Sequence, residues 1–361
     1  MTSPAADVAG ENGVTAASEP GGYSAGTIVQ VLRVTALCTV ALALLFIFNN
    51  YLIFWQGWPG VTNLYAHLGL FGLKPLRTGL DGGALTQGIV QLLLYLVPVV
   101  LLILMVTRAK SHSLRADADR LTALAAYIVR WGFWSVLLIG LADMVISFLR
   151  VEGFLADLVG ADLAQDLGRS RFRGENVHFP LMGLSLVIAY FTRTLGFIWL
   201  ALLIVVAELQ IVVARFVFSY EQAFMADLVR FWYGAMFLFA SAYTLLAEGH
   251  VRVDILYAGL SERAKAWSNL VGSLLFGIPL CWIILTRGMW GKTNVVNGPM
   301  LNYEVTQSGF GLYVKYLMAG FLVVYALSML IQFVSYCLTS VAVLLGEPNG
   351  EPAPADEHPA V

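Results

Sequence analysis

Long apolar runs recur along the chain, and they constrain its fold more than any other feature. The clearest lie at 31–55, 88–107 and 124–149. A helix needs about 20 apolar residues to cross the hydrocarbon core of a bilayer. Of the 361 residues, 59% are hydrophobic and only 12% are charged, whereas soluble domains carry roughly 25% charged residues. The sequence therefore predicts an all-α polytopic integral membrane protein.

We expect about eight transmembrane helices. The predicted spans are 31–55, 88–107, 124–149, 177–192, 195–218, 228–247, 268–290 and 311–345. The segment 177–192 is short for a span and ends beside Arg193. Seven spans, with an interfacial or re-entrant helix at 177–192, is therefore the alternative.

The spans divide into two groups between polar tails. The tails 1–26 and 346–361 are expected to be disordered, because they are rich in small, acidic or proline residues. Residues 27–192 form an N-terminal membrane extension of about four spans, and 193–345 form a second unit of four. The loop 56–87 has room for a short helix. Apolar residues recur through 150–177 at helical spacing, which predicts one amphipathic helix on the membrane surface with its Asp and Arg residues in solvent.

Basic residues indicate the sidedness of the loops. Arg108, Lys110, Arg115 and Arg120 lie in the predicted loop 108–122, and Arg252, Arg263 and Lys265 lie in the predicted loop 248–266. Cytoplasmic loops carry an excess of Lys and Arg. Both loops and both termini are therefore predicted to be cytoplasmic.

Redox and catalytic chemistry have little support. The five histidines lie in loops, span edges or tails, and a haem between helices needs paired axial ligands inside the bundle. No nucleotide-binding or metalloprotease motif is present, and the three cysteines lie in apolar segments without metal-ligand spacing. We expect no enzyme activity, no cofactor, no metal site and no nucleic-acid partner.

Ionisable residues inside spans are functional candidates, because burying them in lipid is expensive. Glu208 and Arg215 lie seven residues apart, on one helix face. Asp227 and Arg230 are three apart and can pair on one helix. Asp143 lies in a different span. These residues either hold the bundle together by pairing or form an ion path. A stand-alone ion or solute carrier using Asp143, Glu208 and Arg215 is the alternative function.

The motif EGHVRVD follows the predicted sixth span directly. Its polar members are Glu248, His250, Arg252 and Asp254, and Gly249 stands where the helix should end. Glycine is common at helix C-termini, and charges are tolerated where a span leaves the membrane. The motif is therefore predicted to anchor a loop, and a metal site at His250 is the weaker alternative because no second histidine is near.

Two motifs carry a family resemblance. In ARFVFSYEQAFMADLVR, Arg215, Phe218 and Arg230 stand at the family positions, and Asp227 replaces a glutamate. The loop EGHVRVD follows the family pattern closely. In this order, within a four-span unit, they resemble the small (Q-type) membrane subunit of tripartite ATP-independent periplasmic (TRAP) transporters. The resemblance spans about 195–345.

The resemblance implies a role in transport without a substrate site. In such systems a periplasmic binding protein delivers an organic anion, often a carboxylate, to a large sodium-coupled membrane subunit. The small subunit packs against that subunit as a scaffold in the bacterial inner membrane. The expected partners are those two proteins and membrane lipids. The structural or interface candidates are Arg215, Asp227, Arg230, Glu248, Gly249, His250, Arg252 and Asp254.

Overall fold

The computed structural model describes residues 26–108, 113–193, 197–220, 222–246, 257, 259–306 and 311–347. All regular elements in these residues are helical. They are α1 (Thr27–Phe54), α2 (Val61–His67), α3 (Gly82–Arg108), α4 (Leu114–Val151), α5 (Leu155–Val159), α6 (Ala161–Leu167), α7 (Ser170–Arg173), α8 (Phe179–Phe191), α9 (Phe197–Phe218), α10 (Ala223–Leu246), α11 (Glu262–Gly272), α12 (Ile278–Met289), α13 (Asn297–Leu301) and α14 (Lys315–Leu344). Single π-helical turns, Gly174–His178 and Ser273–Gly277, connect α7 to α8 and α11 to α12.

Each of the eight predicted spans corresponds to a helix in the described residues, which confirms the all-α polytopic fold. Among those residues, six helical stretches are long and apolar enough to cross a membrane, namely α1, α3, α4, α9, the joined α11–α12 and α14. The predicted fourth span corresponds to α8, which is helical from 170 to 191 once α7 and the π turn are included. The predicted sixth span corresponds to the 24-residue α10, about 36 Å long at 1.5 Å per residue.

Long-range contacts define two ends of the bundle. At the first, which we call the Asp117 end, the start of α1 meets the start of α4 through Arg33 and Asp117. The chain after α14 returns there, since the Leu114 amide donates to Glu347 at 3.3 Å. At the opposite Asp143 end, the amide of Tyr313, just before α14, donates to Asp143 near the end of α4 at 2.8 Å. Helices α1 and α4 therefore run one way and α14 the other.

The core forms around α4 and α14. Helix α14 packs against α4, α10, α11, α12 and α1, and α4 also packs against α8 and α10. Close approach is possible because Gly140 and Gly132 on α4 face Trp232 and Phe239 of α10. One cluster of buried side chains includes residues on both sides of the predicted boundary at 192. Whether the two groups of spans are separate domains stays a prediction, but their buried side chains are shared.

Three predicted boundaries differ from the structure. Helix α4 begins at Leu114, inside the predicted loop 108–122, because Ser113 caps it by accepting a hydrogen bond from the Ala116 amide at 3.2 Å. Helix α11 begins at Glu262, inside the predicted loop 248–266. The single amphipathic helix predicted at 150–177 is three short helices, and the first break lies at Gly160, whose φ of 87° is rarely adopted by other residues.

Candidate functional site

Helix α9 lies at the edge of the bundle and leaves most of its surface uncovered. It packs against α10, with Leu200 and Ala207 buried. The most exposed apolar side chains are between 61% and 80% exposed, namely Trp199, Val205, Leu209, Phe216, Val217 and Phe218. A bilayer can cover such side chains, so their exposure alone does not indicate a protein partner.

Charged residues distinguish α9 from other exposed helices. Glu208 lies in the middle of this 22-residue helix, and Arg215 lies in its last turn; both are exposed. Neither pairs with another residue in the part of the chain that the structure describes. An acidic or basic side chain at the centre of a membrane helix costs about 2.5–3.5 kcal/mol. Arg215 can reach the interface with its long side chain, whereas Glu208 is too short and too central to do so.

Asp227 ties α10 to the chain that precedes α14. Its Oδ2 accepts hydrogen bonds from the Thr306 hydroxyl at 3.1 Å and from the Leu312 amide at 3.2 Å. The predicted helical partner, Arg230, lies 3.7 Å from Oδ1 and has a side chain that is 74% exposed. Such exposed pairs contribute little. The main partners of Asp227 are therefore distant in sequence, and nothing in the spacing of the motif indicated them.

The EGHVRVD motif lies outside the described residues, with its candidates Glu248, Gly249, His250, Arg252 and Asp254. Their proposed anchoring role stays a prediction.

The Asp143 end contains a buried ion-pair cluster that the sequence analysis did not predict. Arg173 donates to Asp143 at 2.7 Å and to the Ser147 hydroxyl at 3.1 Å, and the side chains of both Arg173 and Asp143 are 0% exposed. His178 bonds to Asp143 at 3.2 Å and to the Tyr316 hydroxyl at 2.9 Å. The prediction that the charges of 150–177 face solvent is therefore wrong for Arg173, because it neutralises a carboxylate inside the bundle.

A second group of polar residues lies beside that cluster, since the Tyr303 ring is 5.3 Å from the ring of Tyr316. Glu175 accepts from Arg171 Nε at 2.8 Å and from the Tyr303 hydroxyl at 3.3 Å. The hydrogen bond from Arg171 lowers the pKa of Glu175. Burial, together with the charge of Glu175, raises the pKa of Tyr303 to about 12. The side chains of Arg171 and Glu175 are 78% and 45% exposed, so this outer group contributes little to stability compared with the buried cluster.

The opposite end has its own buried pair. Arg33 Nε and Nη2 both lie 2.7 Å from Asp117 Oδ2, and both side chains are almost fully buried. This pair fastens α1 to α4. Within the described ranges, no group of three His, Cys, Asp or Glu residues could hold a metal ion.

These arrangements fit a protein whose polar residues hold helices together. Residues 203–340 match the family model described as tripartite ATP-independent periplasmic transporters, DctQ component. No curated protein and no solved structure matches the chain. The matched region runs from α9 to α14 and includes Arg215, Asp227 and the EGHVRVD motif. Over residues 203–340 the chain is therefore similar to the DctQ component, the small membrane component of TRAP transporters, as the two motifs predicted.

Proposed function

We propose that the chain is a stationary scaffold subunit of a TRAP-type secondary transporter, and that α9 is its interface with a larger, sodium-coupled membrane subunit. In this proposal a periplasmic binding protein supplies the complex with an organic anion of the carboxylate class. The observation that carries the proposal is Glu208, an exposed acidic residue in the middle of a membrane helix.

The comparison with α3 makes the argument specific. Both helices are exposed and apolar, and residues of α3 such as Val97, Val100 and Leu101 are 47–49% exposed. Before Arg108 in its last turn, however, α3 has no charged residue. Lipid acyl chains alone can therefore cover the exposed surface of α3. Glu208 needs a hydrogen-bond donor or a cation, which acyl chains do not provide, so a protein partner is the better neighbour for α9.

The membrane helices support a scaffold role. Transport sites in secondary carriers are typically built from paired, interrupted helices near the middle of the membrane. Here α1, α4, α9 and α14 are continuous, and the π turns that join α7 to α8 and α11 to α12 leave both pairs helical without a break. Such rigid helices suit a stationary part against which a partner moves.

The second candidate, a stand-alone carrier, needs Asp143, Glu208 and Arg215 along one path. Asp143 is enclosed on α4 and bonded to Arg173, His178 and the Tyr313 amide. Glu208 and Arg215 lie on the exposed surface of α9, which packs against α10. The carrier hypothesis therefore has no polar path linking its residues within the described chain.

Matched substitutions test the interface. Val205→Trp on α9 and Val100→Trp on α3 introduce the same bulk at positions that are 64% and 49% exposed. Each variant is coexpressed with a large TRAP membrane subunit, and the yield of complex is measured by affinity purification and size-exclusion chromatography. We expect Val205→Trp to lower the yield at least fivefold and Val100→Trp to leave it unchanged. The reverse pattern would assign the interface to α3 and contradict the proposal.

Transport by the isolated chain would contradict the scaffold role itself. The purified chain is reconstituted in liposomes with an inward sodium gradient and the cognate binding protein, and uptake of radiolabelled carboxylates is measured. We expect uptake only when the large subunit is also present. Uptake by the chain alone would support the stand-alone carrier instead.

A further inference from the structure

A cavity of about 510 Å³ lies inside the helix bundle. It is within the range of roughly 300–1,000 Å³ that is typical of ligand sites. Residues of α1, α4, α8, α10 and α14 line it, and its wall is almost entirely apolar. Three of the lining residues are glycines on different helices, namely Gly132, Gly183 and Gly320. Of the three, Gly183 faces open space, whereas Phe239 takes up the space beside Gly132.

The polar side chains of the wall are already satisfied. The Ser135 hydroxyl donates to the Trp131 carbonyl at 2.8 Å, and the Trp131 indole donates to the Met182 carbonyl at 3.0 Å. Asn297 donates to the Met289 carbonyl at 2.7 Å, and Asn50 donates to the Phe46 carbonyl at 3.1 Å. A buried water needs two to four polar partners, and apolar cavities without them stay dry. The wall is therefore suited to an apolar ligand.

The cavity opens sideways, between α1 and α8. Tyr51 on α1 and Leu186 on α8 both line it and are 44% and 42% exposed. Gly183 is exposed as well, and a Cβ added there would meet nothing within 4 Å. Towards the Asp143 end, the rings of Trp55 and Phe179 meet edge to face at 5.7 Å. This contact covers the cavity from that end and leaves the opening on the side that faces the membrane.

We propose that this cavity binds an acyl chain of a membrane phospholipid, which enters between α1 and α8. A ligand that enters from the side must come from the bilayer, and the long apolar groups available there are acyl chains. The buried lining residues Ile139, Leu317 and Phe321 would then contact lipid, although they lie inside the bundle. This inference does not depend on the transport role, since the cavity is formed by this chain alone.

Photo-crosslinking tests the site. The full chain is placed in vesicles of phosphatidylethanolamine and phosphatidylglycerol that contain a phospholipid with a diazirine in its acyl chain. After irradiation, labelled residues are mapped by mass spectrometry. We expect labels at Ile139 and Phe321, which are 1% and 5% exposed, in addition to labels on the exposed face of α3. Label confined to α3 and other outer surfaces would overturn the proposal.

A pair of variants separates the cavity from general lipid contact. Gly183→Phe places a ring at the opening, and Leu184→Phe places the same ring on the next residue, which is 49% exposed and not part of the lining. We expect Gly183→Phe to reduce the label at Ile139 and Phe321 at least fivefold, with the label on α3 unchanged, and Leu184→Phe to reduce neither. Equal labelling in both variants would overturn the assignment of the opening.

A further sample contains a diazirine fatty acid in place of the phospholipid. Labelling of Ile139 and Phe321 by the free fatty acid only would contradict a phospholipid as the ligand. Size-exclusion chromatography of each variant checks that it is folded. The labelling pattern of the unmodified chain tests the proposal even if Gly183→Phe does not fold.

Discussion

Arg173 shows how a decisive residue can be hidden in a polar segment. Arg169, Arg171 and Arg173 alternate along the chain, and Arg169 and Arg171 have exposed side chains. Arg173 is instead fully buried against Asp143, 30 residues earlier. Periodicity describes one element at a time, so it could not indicate which of the three arginines meets a carboxylate on another helix.

Removing Arg173 should destabilise the protein strongly. Arg173→Met would leave Asp143 buried without its main partner, and breaking a buried pair in this way costs about 3–5 kcal/mol. Arg171→Met is the matched control, since Arg171 has a side chain that is 78% exposed, and surface changes usually stay within about 0.5 kcal/mol. Thermal unfolding in detergent measures both. Adding Asp143→Asn to Arg173→Met should recover part of the loss, and equal losses for the two single variants would contradict this account.

Gly140 tests the packing of α4 against α10. A Cβ at this position would overlap the indole nitrogen of Trp232, so Gly140→Ala should cost about 1–3 kcal/mol through overpacking. Gly183→Ala, on α8, is the control because its Cβ would meet nothing within 4 Å. The control should gain about 0.5–1 kcal/mol from lower chain entropy in the unfolded state. Thermal unfolding distinguishes them, and a neutral Gly140→Ala would show that the two helices are less closely packed than the structure indicates.

At the scale of elements, the apolar runs were sufficient to locate the spans but not their ends. Helix α4 continues for ten residues before its predicted start at 124, since it begins at Leu114. That stretch contains Arg115, Asp117 and Arg120 and therefore resembles a loop in composition. Asp117 is compensated by Arg33 on α1. Pairing of this kind allows a charged helical turn to lie within a membrane protein, and it depends on a neighbour that composition does not reveal.

The sidedness of the helices is testable by cysteine labelling. The predicted cytoplasmic side includes the start of α4 and the start of α11, where Asp119 and Arg263 are exposed. In a variant without Cys38, Cys281 and Cys337, we expect Asp119→Cys and Arg263→Cys to resist a membrane-impermeant maleimide in intact cells with a permeabilised outer membrane. Helix α5 follows the opposite end of α4, so Asp157→Cys on its exposed surface should react. Labelling of position 263 and protection of position 157 would reverse the topology.

For the whole molecule, the residues that resemble the family and the helices that share the buried core are not the same set. The family match covers 203–340, and the spans before it looked like a separate extension. In the structure, α4 contributes to the core with α10 and α14. Ser335 on α14 donates to the Ala118 carbonyl at 2.9 Å, and Asp143 holds the chain just before α14. A family match locates the residues that are similar to the family. It does not show which other helices of the chain pack against them to complete the core.

Two truncations should separate the helices that surround the core from those that form it. Removing 1–108 deletes α1 to α3 and leaves Asp117 without Arg33, so this shorter chain carries Asp117→Asn to avoid an unpaired buried charge. It should elute as a single species with a lowered unfolding temperature, because α4 still packs against α10 and α14. Removing 1–192 also deletes α4, and with it the glycine surfaces that receive Trp232 and Phe239.

Lipid cannot replace that lost packing, because association between membrane helices depends on close contact and interhelical hydrogen bonds. The chain 193–361 should therefore aggregate or show no cooperative unfolding. The two truncated chains are compared by fluorescence-detected size-exclusion chromatography and by thermal melts. Each measurement is made without the large subunit and then with it. If 193–361 is as monodisperse and stable as 109–361 in both conditions, α4 is a dispensable neighbour of the DctQ component region and not part of its core.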